Sequence, residues 1–333
     1  MKILPVFLHF DYGIKSRGET IEYKGGGWYS SLKQLGYDVY PFWWDDYKEN
    51  KEELQKLLIE YSQKVQPDII LFILMRDEFS YETLDILKEK YTTINWFWDD
   101  HWRFENFTKH YAPHFTYSVT TDKYSLPKYK SIGYKNVILS RGASSGYIAT
   151  LDFDRVKYQY DISFVGGYSA FRGWLVKQLK KQKIHIECFG VGWKNGIVQW
   201  EKMNEIFLTS RINLNISNSV SYDVRYIFSH YRNIKEFLKS DKRVEQLKQR
   251  NFEIPAFGGF QLTNYVPALE DYFDIGKEVV VYTGLEDLIL KLNYYLENED
   301  IRKNILANGH KRVLKDGPTY VERFKEIFVM IDK

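Results

Sequence analysis

Apolar residues along the chain fall into short unbroken runs, and between the runs apolar positions recur three or four apart. Ile3 to Phe10 is such a run, interrupted only by Pro5 and His9. It is followed by KSRGETIEYKGGGWYSSLKQLGY, a loop feeding a helix behind Gly25, Gly26 and Gly27. Tyr37 to Trp43 supplies another short strand. Asn50 with Glu53 forms a capping box for ENKEELQKLLIEYSQKV, because the cap side chain and the residue three positions on satisfy each other's backbone amides. Asp68 to Met75 is almost wholly apolar, as expected of a strand covered on both faces. Helical SYETLDILKEK and the strands in TTINWFW, FTYSVTTD and NVILS continue the alternation. Strand and helix in turn predict an α/β domain with a mainly parallel sheet.

Around LDFDRVKYQY the rhythm lapses, and from Asp161 it restarts with DISFVGG, a helix over FRGWLVKQLKKQ and the strand IHIECFG. RINLNIS reads as a strand, Tyr222 to Ser240 as one long polar and aromatic helix, and EVVVY as a further strand. Leu285, Leu288, Ile289, Leu292, Tyr295 and Leu296 then share one helical face. The pattern predicts domains over residues 1–155 and 156–315, with a helix over 316–333 that packs back on the first domain. Two sequential α/β halves, each opening on a strand and a glycine turn, make an interdomain cleft the expected binding site.

Composition narrows the function. Lys and Arg number 47 against 44 Asp and Glu, a net charge of +3 that disfavours nucleic acid as a partner. The single cysteine, Cys188, excludes an internal disulfide and any cysteine cluster, so a reducing, cytoplasmic setting is expected. The first residues carry no small-residue cleavage site, and no run reaches the about 18 apolar residues that cross a bilayer. Membrane contact is therefore expected to be peripheral if made at all, at the inner face. With 22 Phe, 27 Tyr and 9 Trp, rings make up 17% of the chain, more than core filling usually asks for, and Trp96, Trp98, Trp102 and Trp193 stand near loops suited to meet a sugar or a base.

In NWFWDDHWRF, aromatic residues surround Asp99, Asp100 and His101, a cluster suited to binding hydroxyls or to general-base work; the alternative is a helix cap beside core rings. The segment offers too few ligands at regular spacing to predict a metal. Gly26 and Gly27, like Gly167 in FVGGYSAFR, let backbone amides approach a phosphate or sugar, and Arg172 is placed to pair with a phosphate. Glu253, before the glycine turn AFGGF, is suited to accept bonds from ribose or sugar hydroxyls. Glu245 precedes it by eight residues, which on an α-helix returns to nearly the same face, so both carboxylates are expected to line one cleft.

RNFEIPAFGGFQLTNYVPALEDYFDIGKEVVVYTGLEDLILKLNYYLENEDIRKNILANGHKRVL resembles the CgeB-like, or spore maturation protein-like, glycosyltransferases. The resemblance extends through DISFVGG, CFGVGWKNG, RINLNIS, NWFWDDHWRFENF and SVTTD, most of the chain. It implies a GT-B-like arrangement: two facing Rossmann-like domains with mainly parallel sheets, the C-terminal one holding a nucleotide-sugar donor, the N-terminal one a glycan, glycolipid or glycoprotein acceptor. It also implies that the nucleotide-sugar is a co-substrate, with no cofactor and no essential metal. By the same resemblance Glu253 holds ribose, Gly258 and Gly259 give the backbone close access to the donor, and Gln261, Leu262 and Thr263 follow toward its phosphate or sugar. Arg172, Lys248 and Arg250 become diphosphate candidates. Glu245 lands where retaining relatives carry a carboxylate, while Asp99, Asp100 or His101 is the base for an inverting reaction. A noncatalytic carbohydrate-binding or spore or envelope assembly protein with the same fold is the competing reading, and the oligomeric state is left open.

Overall fold

The computed structural model describes residues 1–20, 22–23 and 26–331, so Gly25 of the glycine triplet lies outside the described residues. The chain divides into two compact units, one formed by Met1–Ser145 with Thr319–Lys333 and the other by Gly146–Pro318. Residues 146–155 thus belong to the second unit rather than the first. They are held there by the Ile148 amide on the Ala256 carbonyl (3.1 Å) and by Leu151 against Gly258.

In the first unit seven strands form one sheet: β1 Lys2–Phe7, β2 Asp38–Val39, β3 Phe42–Trp43, β4 Ile69–Phe72, β5 Thr92–Phe97, β6 Tyr117–Thr120 and β7 Val137–Leu139. Their order is β2-β1-β4-β5-β6-β7, with β3 also pairing β1, and every pairing is parallel. Successive side chains of a strand point to opposite faces, and here both faces are apolar. Leu4, Val6, Ile70 and Phe72 enter one cluster, and Ile3, Phe7, Ile69 and Leu71 enter the other. That is why these strands read as continuous apolar runs rather than as alternating ones. The second layer is completed by the C-terminal helix Tyr320–Ile331, whose Tyr320, Phe324, Ile327 and Phe328 pack with Trp28 and Trp96. The Trp28 and Phe324 rings meet edge to face, with centroids 5.4 Å apart. Trp96, expected near a sugar, is fully buried in this layer, and part of the aromatic surplus is core.

The second unit has β8 Tyr160–Val165, β9 Glu187–Phe189, β10 Ser210–Asn215, β11 Gln261–Asn264 and β12 Val280–Tyr282, again all parallel, in the order β12-β11-β10-β8-β9. Two expectations are corrected here. The stretch read as one helix from Tyr222 to Ser240 is two, Val224–Ile227 and Tyr231–Lys239, with the His230 side chain capping the second. Ser and His at positions 229–230 favour a new cap over continuation. Glu245 and Glu253 do not share a helix, because the helix carrying Glu253 begins only at Arg250.

Helix Glu299–Lys315 passes close to the chain entering β12, and a Cβ placed on Gly309 would stand 2.2 Å from the Glu278 carbonyl oxygen. Replacing a helix-interior glycine by alanine ordinarily stabilises by roughly 1 kcal/mol. Here the sign reverses: Gly309→Ala is expected to lower the unfolding free energy by about 1–3 kcal/mol, the cost of forcing packed elements apart. Denaturant titration checks this, and a variant at least as stable as the parent would show that the close approach is not required.

Candidate functional site

In an open parallel sheet, ligands bind beyond the carboxyl ends of the strands where the strand order reverses. In the second unit the chain runs from β8 to β9 on one side and then to β10 on the other, so the reversal lies between β8 and β10. Beyond β8 come Gly166 and Gly167, and beyond β10 come Ile216 and Ser217. The Arg172 guanidinium spans this point: Nη1 donates to the Gly167 carbonyl at 2.7 Å and Nη2 to the Ile216 carbonyl at 2.5 Å. Ser169 caps the helix Ala170–Lys181 by accepting from the Arg172 amide, which fixes where the side chain starts. Arg172 also lies over the Phe164 ring, 5.0 Å from its centre, and its Nε is buried without a hydrogen-bond partner among the described residues. Burial brings its pKa down to about 10, so it stays a cation at neutral pH. Anchored by carbonyls and bridged to no carboxylate among the described residues, it presents positive charge where the sheet opens.

Around Arg172 the loops are shaped for close approach. Gly190, at φ +129°, lies where a Cβ would come within 2.4 Å of the Gly166 oxygen, and that same oxygen accepts from Trp193 Nε1 at 2.9 Å. Trp193 therefore serves the loop's own backbone. A Cβ on Gly167 would meet no atom within 4 Å, so this position is open.

Glu245 accepts from the Ser217 hydroxyl and from the Ser219 hydroxyl (2.7 Å). Burial raises its carboxyl above the usual range, opposed by the Ser219 bond and by the positive charges of Lys248 and Arg172. Arg172, Lys248, Glu245, Ser217 and Ser219 thus form one polar cluster at the reversal point. Glu253 behaves differently. It is buried, with one oxygen accepting from Gln249 Nε2 at 3.0 Å and the other from Arg250 Nη1 at 2.6 Å, while Arg250 lies over the Phe207 ring. Burial raises its pKa, and the Arg250 charge opposes the shift. Glu253 and Arg250, expected to meet ribose and diphosphate, face each other in this structure.

The glycine turn after Glu253 is likewise committed to packing. A Cβ on Gly258 (φ +72°) would lie 2.2 Å from Leu151, and one on Gly259 2.7 Å from Asn213. Gln261, Leu262 and Thr263 are buried in β11, which corrects their expected place along the donor. Gln261 donates to the Asn251 carbonyl and Asn251 to Thr263 Oγ1, tying the helix of Glu253 to the strand.

In the first unit the candidates separate. Asp100 is buried and accepts from Thr108 (2.6 Å), Thr120 (2.5 Å) and Tyr129 (2.8 Å), tying together three separate stretches of the first unit. It is a structural hub, which corrects its assignment as a base: an acceptor hydroxyl cannot reach it. Asp99, the residue before the helix Asp100–Arg103, and His101 remain half-buried beside it. Gly26 (φ +91°) and Gly27 turn their carbonyls back to Ser31 and Ser30, and Gly27 is buried. One residue was not singled out from sequence. His9 follows β1, beside the first unit's own reversal between β1 and β4. Its ring stacks on Trp43 (centroids 4.8 Å apart), its Nε2 lies 3.3 Å from Glu19, and Asp45 accepts from the His9 and Phe10 amides. The lone ionisable residue at the end of the first apolar run was the signal.

Residues 172–328 match the family model described as Glycosyl transferase-like. No curated protein sequence is significantly similar to the chain. Among solved structures, the sucrose-phosphate synthase of Thermosynechococcus elongatus superposes with a TM-score of 0.62 at 9% identity, over 99% of this chain and 98% of that one. HepE of Anabaena, solved with UDP and glucose, gives 0.54 at 10% identity over 100% and 99%. The pneumococcal O-GlcNAc transferase GtfA, solved with UDP and GlcNAc, gives 0.55 at 9% identity over 84% of this chain and 60% of that one. These neighbours place the fold in the GT-B class, built of Rossmann-like units with parallel sheets. No group of three or more His, Cys, Asp or Glu suited to a metal occurs among the described residues, and no helix among them is long and apolar enough to cross a membrane.

The hub residue gives a test by pH. The Asp100 carboxyl is pushed up from 3.8 to about 6, chiefly by burial. The unfolded chain therefore loses this proton first, and stability falls as pH rises through the interval between the two values. Relative to Asp100→Asn, the wild type is expected to gain about 2 kcal/mol of unfolding free energy between about pH 7.5 and pH 4.5. A difference between the two proteins that stays constant with pH would contradict the buried-hub assignment.

Proposed function

We propose that the chain is a glycosyltransferase of the CgeB-like group, moving one sugar from a nucleotide-sugar to a hydroxyl of a glycan, glycolipid or glycoprotein in the cytoplasm. The observation that carries this reading is Arg172 bridging the carboxyl ends of β8 and β10, with Lys248 and Glu245 beside it. The match of residues 172–328 to a Glycosyl transferase-like model supports it, as do the UDP complexes of neighbours that share the fold.

On this reading the donor diphosphate lies against Arg172 and Lys248. Charge gathers on that diphosphate as the glycosidic bond to the leaving nucleotide breaks, so cations fixed beforehand stabilise the transition state more than the ground state. They do so without a metal. Glu245, oriented by two serine hydroxyls, faces the sugar, where a carboxylate accepts from its hydroxyls or offsets positive charge developing on the ring. Its raised pKa means that the ionised form is lost at a higher pH than for an ordinary glutamate. The Glu253–Arg250 pair acts from behind the site, fixing the turn that leads into β11.

Calorimetric titration with UDP and a panel of other nucleoside diphosphates, followed by transfer assays, tests the proposal. One diphosphate is expected to bind wild type. Lys248→Ala and Arg172→Ala should each weaken that binding about tenfold, the worth of one charge-assisted hydrogen bond. Glu245→Gln should leave nucleotide binding nearly intact while suppressing turnover. Failure of every diphosphate to bind, or equal affinities in all the variants, would overturn the assignment.

A further inference from the structure

Between the end of β10 and the helix carrying Glu253 the chain makes an excursion over residues 219–244. Its neck is closed by the Val220 amide on the Lys242 carbonyl (2.9 Å), the Ser219 hydroxyl on the Val244 carbonyl (3.1 Å) and the Tyr222 hydroxyl on the Arg243 carbonyl (3.1 Å). Ser219 is also one of the two hydroxyls that hold Glu245. The excursion is thus rooted in the polar cluster, and midway along it the buried Tyr226 packs on Phe171 and Trp174.

The helix Tyr231–Lys239 at that tip is amphipathic with its sides reversed. It buries an asparagine, Asn233, whose amide donates to the Tyr226 carbonyl and the Ser229 hydroxyl, both at 3.1 Å. Meanwhile Tyr231 and Leu238, seven residues apart and so on one face, are 67% and 69% exposed, with Ile234 half-buried between them. Phe228, just before the helix, is 74% exposed, the highest value of any large apolar residue described. A helix packing on its own core does the opposite, and a cluster of such residues marks a contact surface.

The charge around the stripe says what it contacts. Residues 219–244 carry six Lys and Arg against three Asp and Glu, a net +3 equal to that of the whole chain, so the remainder is balanced. Arg232, Lys235 and Lys239 lie on the exposed helix itself, interleaved with the apolar stripe. Aromatic and aliphatic side chains flanked by exposed basic ones match the boundary between anionic headgroups and acyl chains.

We propose that this excursion docks the protein on an anionic lipid bilayer, with Phe228, Tyr231 and Leu238 entering the acyl boundary and the neighbouring cations meeting the headgroups. Phe228, Tyr231, Leu238, Lys235 and Lys239 are not among the residues assigned to the donor, so failure of membrane binding and failure of the proposed transfer activity are separate outcomes.

Sedimentation of the full chain with phosphatidylcholine vesicles, and with phosphatidylcholine vesicles containing phosphatidylglycerol, tests the proposal. Binding is expected to the mixed vesicles only and to weaken with added salt. Phe228→Ser/Leu238→Ser and Lys235→Glu/Lys239→Glu should each reduce the partition coefficient about tenfold or more. All four positions are exposed, so the variants should keep the wild-type unfolding midpoint. Equal binding to both vesicle types, no binding to either, or undiminished binding by both double variants would refute the proposal. So would a dimer in ultracentrifugation that the same substitutions dissolve, which would assign the face to a second copy of the chain.

Discussion

Every strand in both sheets runs parallel to its neighbours, and the rest of the molecule follows from that constraint. Parallel strands require crossovers, crossovers put helices on both faces, and covered faces require apolar residues on both sides of each strand. All the strands of a sheet then end at the same edge. Each unit therefore gathers its strand-to-helix loops in one place, and where the strand order reverses two loops diverge and leave an opening. At that opening in the second unit stand the carbonyls of Gly167 and Ile216, beyond the sheet ladder. Arg172 satisfies both at once, and the same two bonds hold a cation at the point where the strand order reverses.

Three carboxylates show how surroundings decide a role that residue type leaves open. Asp100 has three hydroxyl donors and no cation bonded to it among the described residues; it stays buried and its pKa rises. Glu253 is equally enclosed, but a guanidinium bonds to it, and leaving either partner of such a pair alone in the interior costs several kcal/mol, on the order of 3–5. Both groups are therefore held by contacts the fold itself supplies. Glu245 is only partly enclosed, is oriented by two serines, and feels two cations that a diphosphate would also attract. It alone of the three combines fixed geometry with access.

The fold was legible because it is written in residue periodicity. Ile69–Phe72 is a strand in the structure for the reason its sequence suggests, and Asn50 accepts from the Glu53 amide as the capping pattern requires. The site was legible only in part. Arg172 could be singled out because a glycine turn before a capped helix is a local pattern. The fates of Gln261, Leu262 and Thr263 could not, because which residues of a turn-strand segment are buried depends on how Asn251 and Phe207 approach from elsewhere in the chain. The relation of Glu245 to Glu253 failed for a similar reason. An eight-residue spacing places two side chains on one face only if a helix spans them, and the helix here starts too late. His9 was visible as a polar interruption, yet its meaning depended on knowing that β1 lies at a reversal.

The ring surplus divides along the same line between local and distant causes. Trp28, Trp96, Tyr320 and Phe324 are buried because the C-terminal helix returns to cover the first sheet, and large planar side chains fill the wide gap between a sheet and a helix. Phe228 and Tyr231 have no such cover. Their segment is pinned at Ser219 and Val244, and while Tyr226 packs against Phe171 and Trp174, Phe228 and the helix after it turn large apolar side chains outward. A loop needed only to connect β10 to the next helix would be shorter and polar. Keeping exposed aromatic residues there has a cost in solubility, and an outward contact adjoining the cluster gives them a use that core packing does not.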